Sequence, residues 1–295
     1  MRHRIVLCAG MLALLPTGAM GEANLNASAE AKRLIAQHPN WAKWLSDPEL
    51  ATEVLTGEQL PNSPWRVHDI RRPQPPRVDT GTVSCSGPVP SDAEVLFDGR
   101  DLSKWSGGHL GEWKLHDGVL TSGGRAYNFV RTKEAFGDVQ LHVEWMTPQQ
   151  PKPPADPQHR GNSGVFLMGL YEVQILDSYG DETYPDGAAG AIFGTAPPLA
   201  NPTRPPGVWN CYDIVFHAPR FAAAKLASAG WITVLFNGVV VQAHTILLGP
   251  TATEHGAVAH YVPHPPELPL ALQDHGNPES RDSFRNIWVR RLKLE

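Results

Sequence analysis

From Ser91 onward the chain is written in short stretches whose apolar residues recur at every second position, and that period decides its fold class. Val139, Leu141, Val143 and Trp145 alternate with Gln140, His142 and Glu144; Ile214 and Phe216 mark a second stretch; Ile232, Val234 and Phe236 mark a third. Successive side chains of a strand point to opposite faces, so each stretch offers one apolar face to a core. Asn237-Gly238, between the third stretch and the apolar run 239–241, predicts a two-residue hairpin of type I′. Many short strands separated by turn residues predict an all-β sandwich over residues 91–295. The exception is the alanine-rich insertion 221–229, where helical spacing is expected.

The first 90 residues read differently. Arg2 and Arg4 precede an apolar run over residues 5–15, and Ala19-Met20-Gly21 fits a signal peptidase site, so residues 1–21 are expected to be a leader. That run is too short to span a bilayer and no later one is longer, which argues against a membrane span. Cys8 lies early in the run, not at its end, which disfavours a lipid anchor. Residues 22–90 form an extension, with helix formers over 26–56 and then prolines throughout 61–90. So much proline prevents regular structure and predicts an extended segment draped on the main body. Within it, Trp65-Arg66-Val67-His68-Asp69 could reach a groove or simply pack.

The chain of 295 residues carries a formal net charge of −5. Loss of the leader, which has two arginines and no acid, makes it more negative. Nucleic acid is therefore an unsuitable partner, because counterion release needs a basic stripe. A mature chain would keep Cys85 and Cys211, either bridged in an oxidising compartment or with Cys211 as a small buried apolar residue. Neither has metal-ligand spacing. Three long loops, 148–157, 197–206 and 249–269, interrupt the strands; the last holds Glu254, His255, His260 and His264 but matches no standard zinc signature.

Polar residues are set into two of the apolar stretches. Asn162-Ser163-Gly164 opens one, and in Tyr171-Glu172-Val173-Gln174-Ile175 a carboxylate and an amide share the face opposite the apolar set. That face is either the wet side of an antiparallel sheet or the lining of a concave one that grips sugar hydroxyls. Further on come the loop 189–194 (Ala-Gly-Ala-Ile-Phe-Gly), Trp209-Asn210, Gln273-Asp274-His275-Gly276 and Phe284-Arg285-Asn286-Ile287. In this order, after Glu94-Val95-Leu96-Phe97-Asp98-Gly99 and Glu144, the chain from about residue 92 to 295 resembles the bacterial 3-keto-disaccharide hydrolase domain. No single motif carries the likeness; order and spacing do.

The resemblance implies a concanavalin A-like jelly roll of two antiparallel sheets, and a secreted, periplasmic enzyme that cleaves 3-keto-glycosides. In that reaction a ketone at carbon 3 acidifies the proton on carbon 2. A base removes it, the enolate expels the aglycone from carbon 1, and water adds later. One base, one acid and an enolate stabiliser suffice. A retaining glycosidase would need two carboxylates about 5 Å apart, and here the alternate partner of Glu172 is Gln174. Glu144, Glu172 and His275 are the catalytic candidates, each able to act as base, acid or ligand. Asn162, Ser163, Gln174, Gln273, Asp274 and Arg285 are candidates for holding a carbohydrate substrate. Tyr179 and Tyr184 are the aromatic rings expected from loops, whereas Trp145 has core parity. A divalent metal ion on His275 and Glu172 would stabilise an enolate, and so would Arg285; Arg285 could equally pair with Asp274. A lectin-like module and an ordinary glucanase are the alternatives, and no oligomeric state is implied.

Overall fold

The computed structural model describes residues 29–294 apart from 82, 86, 126, 127, 151–155, 181 and 277–280. The leader expected over residues 1–21 lies outside the described residues. The chain divides into Met1–Thr52 and Glu53–Glu295. The expected N-terminal helical region is present as α1 (29–37), α2 (Ala42–Leu45) and α3 (Pro48–Thr56). Proline at the first position of α3 is compatible with a helix start, and Asp47 Oδ1 accepts the Glu49 amide at 2.8 Å.

The second unit is the β-sandwich. Its strands are β1 (Glu94–Phe97), β2 (Trp105–Ser106), β3 (Lys114–His116), β4 (Val119–Thr121), β5 (Asn128–Phe136), β6 (Val139–Met146), β7 (Ser163–Leu167) and β8 (Tyr171–Ile175), followed by β9 (Asn210–His217), β10 (Arg220–Ala222), β11 (Lys225–Ser228), β12 (Trp231–Phe236), β13 (Val239–Ile246), β14 (Leu268–Asp274) and β15 (Ser283–Arg291). One sheet has eight strands in the order β13-β12-β9-β6-β15-β4-β3, with β1 also on β15; the other has five, β2-β5-β14-β7-β8. The pairings are antiparallel. A single apolar core fills the space between the sheets. Val139, Leu141, Val143 and Trp145 enter it from β6, and Tyr171, Val173 and Ile175 from β8, as the period of two requires. Phe216 of β9 meets Tyr171 of β8 with ring centroids 5.6 Å apart, tying one sheet to the other.

Asn237 and Gly238 link β12 to β13 with φ of 50° and 81°, the left-handed pair that the I′ turn demands. The insertion 221–229 is corrected: it is the hairpin β10–β11, with Ala223 and Ala224 at φ 48° and 61° in its turn. Alanine's helix preference is worth only a fraction of a kcal/mol per residue and yields to ladder hydrogen bonds. The proline-rich segment is extended and draped on the sandwich. Val78 N donates to Asn201 O at 3.0 Å, Gln74 Nε2 to Thr183 O at 2.7 Å, and Cys85 is bridged to Cys211 on β9.

Truncation of Phe216 to alanine removes a fully buried ring from this core, so the variant should lose about 3–5 kcal/mol of unfolding free energy. Denaturant melts of the oxidised protein measure it; a loss under about 1 kcal/mol would show the inter-sheet core to be elsewhere.

Candidate functional site

Glu172 lies on β8 with Tyr171 and Val173 on either side, and both neighbours belong to the core. Its side chain therefore points out of the sandwich, yet it is only 5 % exposed. Two features bury it. Gly164 on β7, diagonal to Glu172 and paired with Gln174, leaves the space the carboxylate occupies: a Cβ there would stand 2.7 Å from the Phe166 ring and collide with Glu172 Oε1. The chain at 190–193 then runs along the outer edge of β8. Gly190 N donates to Gln174 O (2.9 Å), Gln174 N to Ala191 O (3.0 Å) and Phe193 N to Glu172 O (3.4 Å).

The Gln174 amide is satisfied with its nitrogen toward Ser163 O at 2.8 Å and Glu172 Oε1 at 3.2 Å. Desolvation alone pushes the Glu172 carboxyl up to about 8. At neutral pH this group holds its proton while remaining close to titration, the condition suited to acid–base work. Beside it, Gln158 Nε2 donates to Thr183 Oγ1 (2.7 Å) and Gly187 O (3.2 Å), while Asn162 Nδ2 donates to Gln158 O at 2.7 Å. Asn162 thus holds Gln158 in place. Ser163 Oγ donates to Gln273 O at 2.6 Å, a strand-to-strand tie between β7 and β14. The Gln273 Oε1 is buried without a partner among the described residues, so it is an acceptor open to a ligand donor. His275 follows β14, its ring 6.1 Å from that of His159, the neighbour of Gln158, and so borders the same network.

Glu144 does not join this site. Its neighbours Val143 and Trp145 enter the core from the other sheet, so Glu144 and Glu172 stand on opposite outer faces of the sandwich. Glu144 is fully compensated, accepting from Arg285 Nε and Asn286 Nδ2 at 2.7 Å each, with His142 Nε2 at 3.8 Å. Burial would raise this carboxyl, but His142, Asn286 and Arg285 prevail and hold it near 2. His142 is driven the other way: burial would lower it, and the carboxylates of Asp213 and Glu144 bring it up to about 9. Arg285 goes with Glu144, not with Asp274, because register places it opposite that residue; its guanidinium also lies 4.1 Å over Trp209. Asp274 accepts Arg125 N and Gly276 N at 3.0 and 3.1 Å and holds the end of β14.

The two tyrosines separate as well. Tyr179 stacks under Arg77 at 3.9 Å and lines a cavity of ≈ 540 Å³ with Arg77, Thr80, Val83, Arg204 and Val208. Tyr184, expected as a loop ring for a sugar, is buried and packs 4.2 Å from His68. Among the described residues no group of three or more His, Cys, Asp or Glu side chains is placed to hold a metal ion. Glu172 is held neutral by burial, so it and His275 do not fit the expected cation. In the loop 249–269, His264 Nε2 meets Tyr171 OH at 2.7 Å and His255 meets His68 at 4.8 Å.

Glu172 binds its proton more tightly folded than unfolded, where the value is 4.5. The stability it contributes is complete below that value and is lost as pH rises through about 8. Thermal melts between about pH 5 and 9 should therefore fall less for Glu172→Gln than for the wild type; parallel curves would place the carboxyl in water.

A crystal structure of a candidate glycosyl hydrolase from Parabacteroides distasonis ATCC 8503 is similar at 45% identity and a TM-score of 0.63, over 68% of this chain and 84% of that one. A second structure of the same description from that organism is 22% identical, with a TM-score of 0.49 over 68% and 99% of the two chains. No curated protein sequence matches. A family model described as a 3-keto-alpha-glucoside-1,2-lyase-like domain matches residues 92–290, which takes in both sheets but for the last residue of β15, and the chain belongs to that family.

Proposed function

We propose that the chain is a secreted enzyme that cleaves 3-keto-glycosides by elimination followed by hydration, with Glu172 as its acid. The carbohydrate-active class follows from the family; the reaction and the residues are the proposal. The observation that carries it is the Glu172 carboxyl, raised to about 8 by desolvation, with a glutamine where a retaining glycosidase would need its second acid. A neutral carboxyl cannot attack carbon 1, but it can protonate a departing oxygen. Once ionised by that transfer, it can take a proton from the water that adds back to carbon 1. Gln174 keeps one carboxyl oxygen in a defined direction, and Gln273 offers an unoccupied acceptor to a sugar hydroxyl. The remaining need is a base for the carbon 2 proton, and an imidazole titrates in the right range. Sequence order offers His275 for that part. The Cys85–Cys211 bridge supports export to an oxidising compartment such as the periplasm.

The test compares oxidised and parent sugars. Purified mature protein is incubated with a nitrophenyl 3-keto-glucoside in each anomeric form and with the corresponding unoxidised glucosides. Cleavage of the 3-keto form alone is expected, and Glu172→Gln should lower kcat by about 10²–10⁴-fold with a near-native melt. Cleavage of the parent sugar would point to an ordinary glucanase, and cleavage of neither to a binding module. Glu144→Gln on the opposite face should behave in reverse. Turnover is kept within about threefold, while stability falls by about 1–3 kcal/mol as a buried ion pair is broken. Loss of activity without loss of stability would return Glu144 to the site.

A further inference from the structure

The proline-rich segment lies outside the family domain, which begins at residue 92. It nevertheless brings one titratable side chain, His68, against the 184–193 segment that borders β8. His68 is 2 % exposed and has a backbone φ of 59°, a left-handed conformation that few residues other than glycine adopt. Asp186 imposes that conformation. Its Oδ2 accepts the His68 amide at 2.9 Å, and its Oδ1 faces the ring Nδ1 at 3.5 Å. Both of these facing atoms are buried, and neither makes a hydrogen bond among the described residues. Asp186 is itself completely buried, in the short 3-10 turn Pro185–Gly187 whose Gly187 carbonyl holds Gln158. The imidazole is bounded by Tyr184 (4.2 Å), Phe193 (5.0 Å) and His255 (4.8 Å). Phe193 is the residue whose amide binds the Glu172 carbonyl.

A carboxylate at Nδ1 fixes one tautomer, with Nδ1–H toward the carboxylate and the lone pair on Nε2. Asp186 Oδ1 stands 3.5 Å from Nδ1, a distance at which no hydrogen bond is formed, so a shift of a few tenths of an ångström would set this tautomer and leave Nε2 as the free edge of the ring. Strained backbone, a buried carboxylate serving one histidine, and an imidazole edge without a partner together describe a working group, not a strap. We propose that the Asp186–His68 pair is the base of this site, so that the extension, and not the β-sandwich alone, completes the catalytic machinery. This rests on the reading of Glu172 given above and replaces His275 in the role that sequence order had offered it.

The steps balance. Nε2 of neutral His68 takes the proton from carbon 2, and the C–H electrons pass into the enolate of the 3-ketone. As the enolate collapses, the carbon 1–carbon 2 double bond forms, the carbon 1–oxygen bond breaks, and the leaving oxygen takes the Glu172 proton. Water then adds to carbon 1 while the ionised Glu172 accepts its proton, and His68 returns its own proton to carbon 2. Both groups end as they began. The other titratable or charged groups facing the pair are His255, Tyr184 and Arg72, which reaches Thr195 O at 3.3 Å and feels the charge of Asp186.

The experiment is a pH–rate profile on the full mature chain with the nitrophenyl 3-keto-glucoside. Four variants are compared with the wild type: His68→Asn, Asp186→Asn, His275→Asn and Glu172→Gln. Asparagine tolerates the left-handed backbone at position 68, which limits any loss of fold. The expected result is a fall in kcat/KM of about 10²-fold or more for His68→Asn, with its acid limb gone, KM little changed and a near-native melt. Asp186→Asn should fall in the same direction with the limb displaced, and His275→Asn should keep both limbs. Wild-type kcat/KM in His68→Asn, or a loss that leaves both limbs in place, overturns the assignment. If Glu172→Gln is fully active, the site reading itself fails; if it is inactive and His68→Asn is not, only this inference fails. A second measurement needs no substitution: the side-chain ¹⁵N resonances of His68 should show an Nδ1–H tautomer and shift on addition of 3-keto-glucose. Unmoved resonances at saturating sugar would equally overturn it.

Discussion

The backbone pairing between residues 190–193 and the outer edge of β8 is the interaction on which the candidate site depends. β8 ends the five-stranded sheet, and an end strand ordinarily presents wet, unpaired amides and carbonyls. Here the edge is closed by Gly190, Ala191 and Phe193, with Val173 bridged to Ile192. The Gln174 carbonyl receives both Gly190 N and, from the opposite sheet, Tyr212 OH at 2.6 Å, which uses its two lone pairs. Gly190 can serve because it has φ 82° and because any Cβ would press on Val241 at 3.2 Å. Closing the edge dries the outer face beneath the loop. Glu172 loses its water by this route, and Tyr184, Asp186 and Phe193 arrive on the same segment.

The two outer faces treat a buried carboxyl in opposite ways. Glu144, fully enclosed, accepts two charge-assisted or amide hydrogen bonds and stays ionised near pH 2. Glu172, nearly as enclosed, has a glutamine amide and, among the described residues, no cation in hydrogen-bond reach, and is neutral up to about 8. The first arrangement has already spent its charge on structure, since Arg285 and His142 answer it. The second keeps a proton that a substrate can take. Under the proposed function chemistry follows the uncompensated face; environment, not residue type, separates the two acids.

Much of the fold was legible because a period of two survives in any sheet whose one face is buried. The parity of β6 and β8 follows from residues 139–145 and 171–175, and so does the core position of Trp145. What parity cannot state is which sheet a strand joins. Glu144 and Glu172 are each the polar residue of an apolar strand, and only the non-local orders β9-β6-β15 and β14-β7-β8 show that a core lies between them. Arg285 lies near Asp274 in sequence, but the β15–β6 register gives it to Glu144. Tyr184 reads as a loop ring for a sugar; nothing local announces that His68 will cover it. His68 sits among prolines, in a segment without periodicity, so its place depends on long-range contacts that no window of sequence contains.

An irregular segment can present a side chain reproducibly only if it is tied down at several points, because each free residue costs about 1–2 kcal/mol of backbone entropy to order. Residues 57–85 are tied in this way. Glu58 N binds Gly256 O, Val67 N binds Glu58 O, and Leu60 and Val67 form a small apolar cluster with Val258. Asp186 then holds His68, Gln74 reaches Thr183, Val78 pairs with Asn201, and Cys85 closes the series on Cys211 across 126 residues of sequence. The covalent tie acts on the unfolded chain, where it removes much of the freedom the other contacts would have to overcome. It anchors the far end of the segment that carries His68 to β9, the strand whose Tyr212 supports Gln174. Oxidation of the thiols and assembly of the site are therefore coupled through one stretch of backbone, and export would bear on function as well as on stability.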